Sequence, residues 1–307
     1  MNYKDFAKKE ARLAPGHGLC GGCTQPMIVK TILGATDKPV VVANATGCLE
    51  VSTTIYPKSA WRLPWIHSAF ENAAATIAGV ETAYKSLRKQ GRIKEDIKFV
   101  AFGGDGGTYD IGLQSLSGAL ERGHDFLYVC LDNEAYMNTG GQRSGATPYG
   151  ASATTAPAGK LIQGKMEWKK DLIRICVAHN IPYAAQASAG NWLDLANKAE
   201  KAWTIEGPKV LLVYSPCTTL WGFPNSKAIE ISKLLIETGA WPLYEVENGK
   251  YRLTYKPKKR KPIAEYLKTQ RRFKHLLKPG NEEHIRHIQE GIDKYWNEIL
   301  RLCGESE

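Results

Sequence analysis

From about residue 38 to residue 220 the apolar positions change period repeatedly, from continuous β-branched runs to helical spacing and back. KPVVVAN (38–44) reads as a strand buried on both faces. SAFENAAATIAGVETAYKSL (68–87) is alanine-rich, with apolar residues at helical spacing, and predicts a helix packed closely on a sheet. IKFVAFGGDGG (97–107) is a second strand ending in glycines, and DIGLQSLSGALERG (110–123) is a helix whose Gly123 suits its C-terminal cap. HDFLYVCLDN (124–133) is a third strand and MEWKKDLIRICVAHN (166–180) a helix. PYAAQAS (182–188) is a short strand, NWLDLANKAEKAWTIEG (191–207) a helix and PKVLLVYSPC (208–217) a last strand. The alternation predicts an α/β fold on a doubly wound, mainly parallel sheet. From about 225 lysine, proline and charged residues take over, and NEEHIRHIQEGIDKYWNEILRL predicts a surface helix. The expected division is a main domain over 1–224 and an extension over 225–307, packed on that domain or on partner subunits.

Composition sets outer bounds. With 307 residues and 43% hydrophobic content the chain can bury a large core. No apolar run approaches the roughly 18 residues that span a bilayer, and MNYKDFAKKEARLAPG lacks the apolar stretch of a signal peptide. A cytoplasmic location is therefore expected. Seven cysteines, an odd number, argue for ligands plus spare thiols rather than a disulfide framework. The net charge is +10, with much of the excess in YKPKKRKP (255–262) and QRRFKHLLK (270–278). No nucleic-acid-binding motif accompanies these runs, so a solvated surface or a subunit contact is expected there.

Open parallel sheets place ligands at the carboxyl ends of their strands. The unusual residues of this chain lie there: NATGC after the first strand, GGDGG after the second, DNEAYMNTGGQ after the third and SPC after the last. Glycines at Gly104, Gly106 and Gly107 let backbone approach a phosphate at a helix N-terminus. A lone carboxylate would repel a diphosphate there, so Asp105 makes sense as a ligand of a divalent cation that holds it. Asn133, one strand–helix–strand step later, is the natural second ligand. The pattern resembles the thiamine diphosphate motif, in which the Mg²⁺ ligands are an Asp, an Asn and a main-chain carbonyl, here that of Ala135.

Cys20-Gly-Gly-Cys23 is the single CxxC of the chain. Cys48 and Cys217 each follow a strand of the same sheet, so all four thiols can converge at one edge. Four thiolates suit Zn²⁺ or an iron–sulfur cluster. A zinc ribbon would use two CxxC knuckles, and a thioredoxin-like CxxC leaves Cys48 and Cys217 unexplained. Cys130, Cys176 and Cys303 read as core or surface thiols.

Taken together, CGGC, VVVANATGCLEVSTTIYP, WIHSAFENAAA, GDGGTYDIGLQSLSGALERGHDF, DNEAYMNTGGQRSGATPYG and SPC resemble the beta subunits of the multi-subunit pyruvate:ferredoxin oxidoreductases of archaea and anaerobic bacteria. The resemblance implies a subunit of an oxidoreductase that decarboxylates pyruvate with CoA, giving acetyl-CoA and CO₂, and passes electrons to ferredoxin. Related 2-oxoacids are the alternative substrates: branched, 2-oxoglutarate, arylglyoxylates or oxalate. A zinc-stabilised nucleic-acid-binding protein is a more distant reading. The implied cofactors are thiamine diphosphate, Mg²⁺ and a [4Fe-4S] cluster. Cys20, Cys23, Cys48 and Cys217 match the cluster ligands, and Gln25 stands where the family often has a Glu that touches the cofactor. Gly104, Asp105, Gly106 and Gly107 match the diphosphate loop, with Asn133, Glu134, Ala135, Tyr136, Met137 and Asn138 the Mg²⁺ loop. Asp105, Asn133 and Ala135 would hold the Mg²⁺. Asn138 matches the catalytic Asn. The implied partners are an alpha subunit supplying the Glu that activates the aminopyrimidine, a ferredoxin-like subunit and external ferredoxin. No nucleic acid or membrane is expected. His67 and Arg143 stay open between structural and functional roles, and Glu50, Glu71 and Glu81 are expected to be structural.

Overall fold

In chain order the helices are α1 (Tyr3–Lys8), α2 (Gln25–Gly34), α3 (Cys48–Thr53), α4 (Ala73–Lys89), α5 (Leu113–Glu121), α6 (Leu172–Val177), α7 (Trp192–Thr204), α8 (Thr218–Trp221), α9 (Ala228–Glu237), α10 (Ile263–Leu267) and α11 (Glu282–Leu302). The strands are β1 (Val40–Ala45), β2 (Trp65–Ser68), β3 (Lys98–Gly104), β4 (Leu127–Asp132), β5 (Tyr183–Ser188), β6 (Lys209–Tyr214), β7 (Leu243–Glu247) and β8 (Lys250–Tyr255). They come from a computed structural model that describes residues 3–306. All eight strands form one sheet in the order β2-β1-β3-β4-β6-β5-β7-β8. The first six are parallel; β7 and β8 join antiparallel.

Alternate strand residues feed two cores. Val40, Val42, Val100 and Phe102 face the side covered by α2 and α7. Ala43, Ala45 and Ala101 face the other, where Ala73, Ala74 and Ala78 of α4 meet them. Small residues on both partners let that helix approach the sheet closely, which is what its alanine content encodes. β4, β5 and β6 are buried at every position, as central parallel strands should be. Among the described residues no helix is long and apolar enough to cross a membrane.

Four details differ from the sequence reading. The helix expected over 68–87 begins only at Ala73, because residues 65–68 pair with β1 as the short edge strand β2. The helix expected from 110 is preceded by a π-turn over Gly107–Ile111, closed by the Gly112 N–H on the Gly107 carbonyl at 2.7 Å. The helix expected over 166–180 is reduced to Leu172–Val177. Its N-terminal half is pulled out of register: Asp171 caps α6 by accepting from the Arg174 N–H, while Lys169 and Lys170 reach across to Asp132 and Asp110. Finally, the segment after 225 extends the sheet itself through β7 and β8. Their turn is Asn248-Gly249, both at positive φ (48° and 77°), the usual chemistry of a two-residue hairpin.

Candidate cofactor site at the strand ends

The carboxyl ends of β1, β3 and β4 open on a cavity of about 190 Å³. Of the sequence-predicted residues it gathers Gln25, Cys48, Gly104, Asp105, Gly106, Gly107, Asn133, Ala135, Tyr136, Met137 and Asn138. Asn44 and Thr46 complete the β1 side. Two buried polar atoms in this lining have no hydrogen-bond partner: Gln25 Oε1 and Asn44 Nδ2. A buried polar group without a partner is costly, so an orphaned acceptor and an orphaned donor on one cavity mark a place for a polar ligand. Asn44 was not among the sequence candidates. Its signal was a carboxamide inside the otherwise apolar run VVVANA.

The glycines of the GGDGG turn divide by role. A Cβ on Gly106 would meet the Tyr136 ring at 2.5 Å, and one on Gly107 the Phe70 carbonyl at 2.9 Å. Close packing therefore demands glycine at both. A Cβ on Gly104 would have nothing within 4 Å, so this glycine keeps space open on the cavity.

Asp105 is buried, accepting from the Ser144 hydroxyl at 2.6 Å and the Asn133 N–H at 3.3 Å. Burial, and next the charge of Asp132, push its pKa well above the ordinary carboxylate range. One terminal atom of the Asn133 side-chain amide lies 2.8 Å from Asp105 Oδ1 and 2.8 Å from the Ala135 carbonyl oxygen. With the nitrogen at that position the amide donates to both. With its oxygen there instead, the amide joins the carboxylate and the carbonyl as a ligand for a hard divalent cation, whose octahedral bonds of about 2.0–2.1 Å put neighbouring ligands about 2.9 Å apart. The donor set therefore fits Mg²⁺, and the buried, raised carboxylate is the group such a cation would hold ionised.

Behind this loop runs a buried ionic network. Asp132 accepts from Tyr109 at 2.9 Å and from Lys169 at 2.7 Å. Glu134, named with the cofactor residues from the sequence, does not line the cavity; its carboxylate turns the other way, to Arg272 of the extension and to Lys169. The segment 270–278, expected as solvated surface or subunit contact, is instead partly core: Arg272, Phe273 and Leu276 are buried. Burial lowers and these two carboxylates raise the Lys169 pKa, and the net shift is upward.

The four predicted thiols are electrostatic neighbours. Burial pushes Cys23 up to about 11, with Cys217 and Cys20 adding to it and the Gln25 N–H opposing. Cys48 is pushed up to about 12 by burial and then by Cys217, Cys23 and Cys20. Burial also raises Cys217, while the backbone N–H groups of Leu220 and Thr219 donate to it. Cys48 both faces this group and lines the cavity. The CGGC turn is fixed by Gly22: its φ is +77°, and a Cβ would lie 2.2 Å from the Asn225 carbonyl. Among the described residues no three His, Cys, Asp or Glu side chains lie close enough to hold a single metal ion. Cys130 and Cys176 are buried elsewhere, and Cys303 is half-buried at the end of α11.

The remaining candidates fall outside the cavity. His67 lies on β2, where it bonds the Thr46 hydroxyl at 2.7 Å. Arg143 is exposed, 3.7 Å from Glu167. Glu81 pairs with Lys85 and His124 beside Asp125, at the amino end of β4.

Residues 45–213 match the thiamine pyrophosphate enzyme C-terminal TPP binding domain. The chain is 54% identical to the pyruvate synthase subunit PorB of Thermotoga maritima, covering 97% of this chain and 94% of that protein. It is also 54% identical to PorB of Methanocaldococcus jannaschii, covering 96% and 97%. A solved 2-oxoglutarate:ferredoxin oxidoreductase from Magnetococcus marinus superposes with a TM-score of 0.58 at 23% identity, over 71% of this chain and 69% of that one, a likeness of fold.

Proposed function

The chain belongs to the family of PorB subunits, the beta subunits of pyruvate:ferredoxin oxidoreductases, with a thiamine pyrophosphate-binding domain, and from that premise we propose its part in the reaction. It carries the diphosphate half of the cofactor site in a CoA-dependent enzyme that decarboxylates pyruvate oxidatively. Thiamine diphosphate supplies the electron sink for losing CO₂ from a 2-oxoacid, and a neighbouring [4Fe-4S] cluster takes up electrons singly.

This chain's own residues would act as follows. Asp105, the Asn133 side chain and the Ala135 carbonyl hold Mg²⁺, which screens the diphosphate from the buried carboxylate. β3 ends at Gly104 and the backbone turns helical at Asp105 and Gly106, so the N–H groups at the start of that turn point toward where phosphate oxygens would sit. Gln25 and Asn44 offer their unspent acceptor and donor to the cofactor's polar edge. Asn138, exposed at the cavity rim, is placed to donate to a substrate oxygen as negative charge develops there. Cys20, Cys23, Cys48 and Cys217 ligate the cluster, and Cys48, shared between thiol group and cavity, keeps the electron path short.

The observation that carries this reading is the meeting of the Asp105 carboxylate, the Asn133 side-chain amide and the Ala135 carbonyl with an orphaned donor and acceptor in one strand-end cavity. A pocket that encloses a whole small ligand is typically about 300–1,000 Å³. The cavity here is about 190 Å³, which suits a site completed by a partner. An alpha subunit bearing the activating Glu and a ferredoxin-like subunit are the proposed partners. The test is calorimetric. Asp105→Ala in the assembled complex should abolish Mg²⁺-dependent thiamine diphosphate binding, and unchanged affinity would refute the assignment.

A further inference from the structure

One buried cation outside the strand-end site touches both of its halves. Arg272 comes from the segment after α10, far in sequence from either motif. Its Nη2 donates to Glu134 and lies 3.3 Å from the Tyr266 hydroxyl, and its Nε donates to Gln270 at 2.7 Å. The guanidinium carbon sits 3.6 Å from the centre of the Trp221 ring. Its carbonyl accepts from the Ser152 N–H at 2.9 Å.

The two side chains it grips belong to the two loops that carry the chemistry. Glu134 stands between Asn133, whose side-chain amide lies 2.8 Å from Asp105 Oδ1, and Ala135, whose carbonyl oxygen lies 2.8 Å from that amide. It holds a left-handed backbone, φ +62°, which is costly for a residue with a side chain. Its carbonyl is pinned by the Thr147 hydroxyl at 2.7 Å and its carboxylate by Arg272 and Lys169. That twist aims Asn133 and the Ala135 carbonyl at one side of the chain and Glu134 at the other. Trp221 ends α8, the short helix whose first backbone N–H groups donate to Cys217. Gly222 leaves that helix at φ +69°, and a Cβ there would strike the Arg271 side chain at 2.5 Å. The segment is therefore packed hard against α8.

We propose that Arg272 is a positioning residue that locks the Asn133–Ala135 loop to the Cys217 helix, so that the metal-side oxygens and the cluster-side thiol keep one fixed relation. The inference rests on the cofactor reading above. An arginine suits this place because a planar fork bonds a carboxylate edge-on while its face stacks on an indole. Lysine supplies charge to Glu134 but not the stacked plane.

The test uses the assembled complex. Thiamine diphosphate binding is titrated against Mg²⁺ by calorimetry, and the reduced cluster is examined by electron paramagnetic resonance. Arg272→Gln should raise the half-saturating Mg²⁺ concentration at least tenfold and alter the cluster spectrum with iron content unchanged. Arg272→Lys should return the Mg²⁺ dependence to within about threefold of the original while the spectrum stays altered. Should Arg272→Gln fail to assemble, the double variant Glu134→Gln/Arg272→Met removes both buried charges together and should show the same Mg²⁺ shift. An original Mg²⁺ curve and spectrum in any folded Arg272 variant overturns the lock. Absence of Mg²⁺-dependent binding in the unmutated complex overturns the cofactor reading and the lock with it.

Discussion

Asn44 and Gln25 show how a binding residue differs from a core residue. Each is buried, and each has a polar atom that the protein leaves without a partner. A fold selected for stability alone would not keep such atoms, since each costs roughly 1–3 kcal/mol. Asn44→Leu should therefore hold or raise the stability of the isolated chain, by about 1 kcal/mol, and weaken thiamine diphosphate binding at least tenfold in the complex. Denaturant unfolding and calorimetry check the two signs. The thiols divide in the same manner. Cys217→Ser should strip or cripple the cluster, whereas Cys130→Ser and Cys303→Ser should leave iron content intact by chemical assay. Most of these residues were legible beforehand because they interrupt the texture of a strand end: a charge among glycines, a cysteine after a β-branched run. Asn44 was missed because a single amide inside VVVANA looks like part of the strand. Arg272 was missed because its meaning lies in Glu134, with which no local pattern connects it.

Elements with a continuous period were read well. β3, β4, β5 and β6 fall within the expected runs and β1 ends one residue beyond its own, because strands buried on both faces leave no polar alternation to confuse them. What failed was the short element and the boundary. β2 has four residues at an edge, too few for a period, and the stretch before α6 carries lysines whose tertiary contacts outweigh helix propensity. The β7–β8 hairpin had a readable Asn-Gly turn, but its lysine-rich surroundings disguised it. Glu81 makes a prediction at this scale, since it ties α4 to the loop before β4. Burial tends to raise its pKa, but hydrogen bonds from Lys85 and His124 outweigh that and hold it below its ordinary value. A depressed carboxylate stabilises the fold fully above its unfolded pKa, about 4.3, and that contribution is lost as pH falls through the lower folded value. Glu81→Gln should cost about 1–3 kcal/mol at pH 7, and the difference from the original chain should shrink as pH falls below about 4. Urea unfolding across that range measures it.

For the whole molecule, incompleteness is the organising property. The strand-end cavity is open and small, and Val51, Ile55 and Tyr56 are exposed apolar residues on the segment that follows Cys48. A Cβ on Gly18, two residues before Cys20, would lie 3.2 Å from Ile55, so this apolar rim borders the thiol group. Apolar surface beside a cofactor site suits burial under another subunit. Three of the carboxylates are otherwise engaged: Glu134 is locked to Arg272, Glu81 sits at the amino end of β4, and the Glu50 carboxylate accepts from the Thr54 hydroxyl at 3.1 Å. The central claim is thus that this chain holds half of a catalytic site. It is tested most directly by anaerobic, 2-oxoacid-dependent reduction of a viologen dye, with thiamine diphosphate, Mg²⁺ and CoA present, by the isolated chain and by the same chain after an alpha subunit is added. The account predicts no turnover of pyruvate by the isolated chain and its appearance on adding the partner. Turnover by the isolated chain at the rate of the full complex would contradict it, and would place the activating carboxylate within these 307 residues.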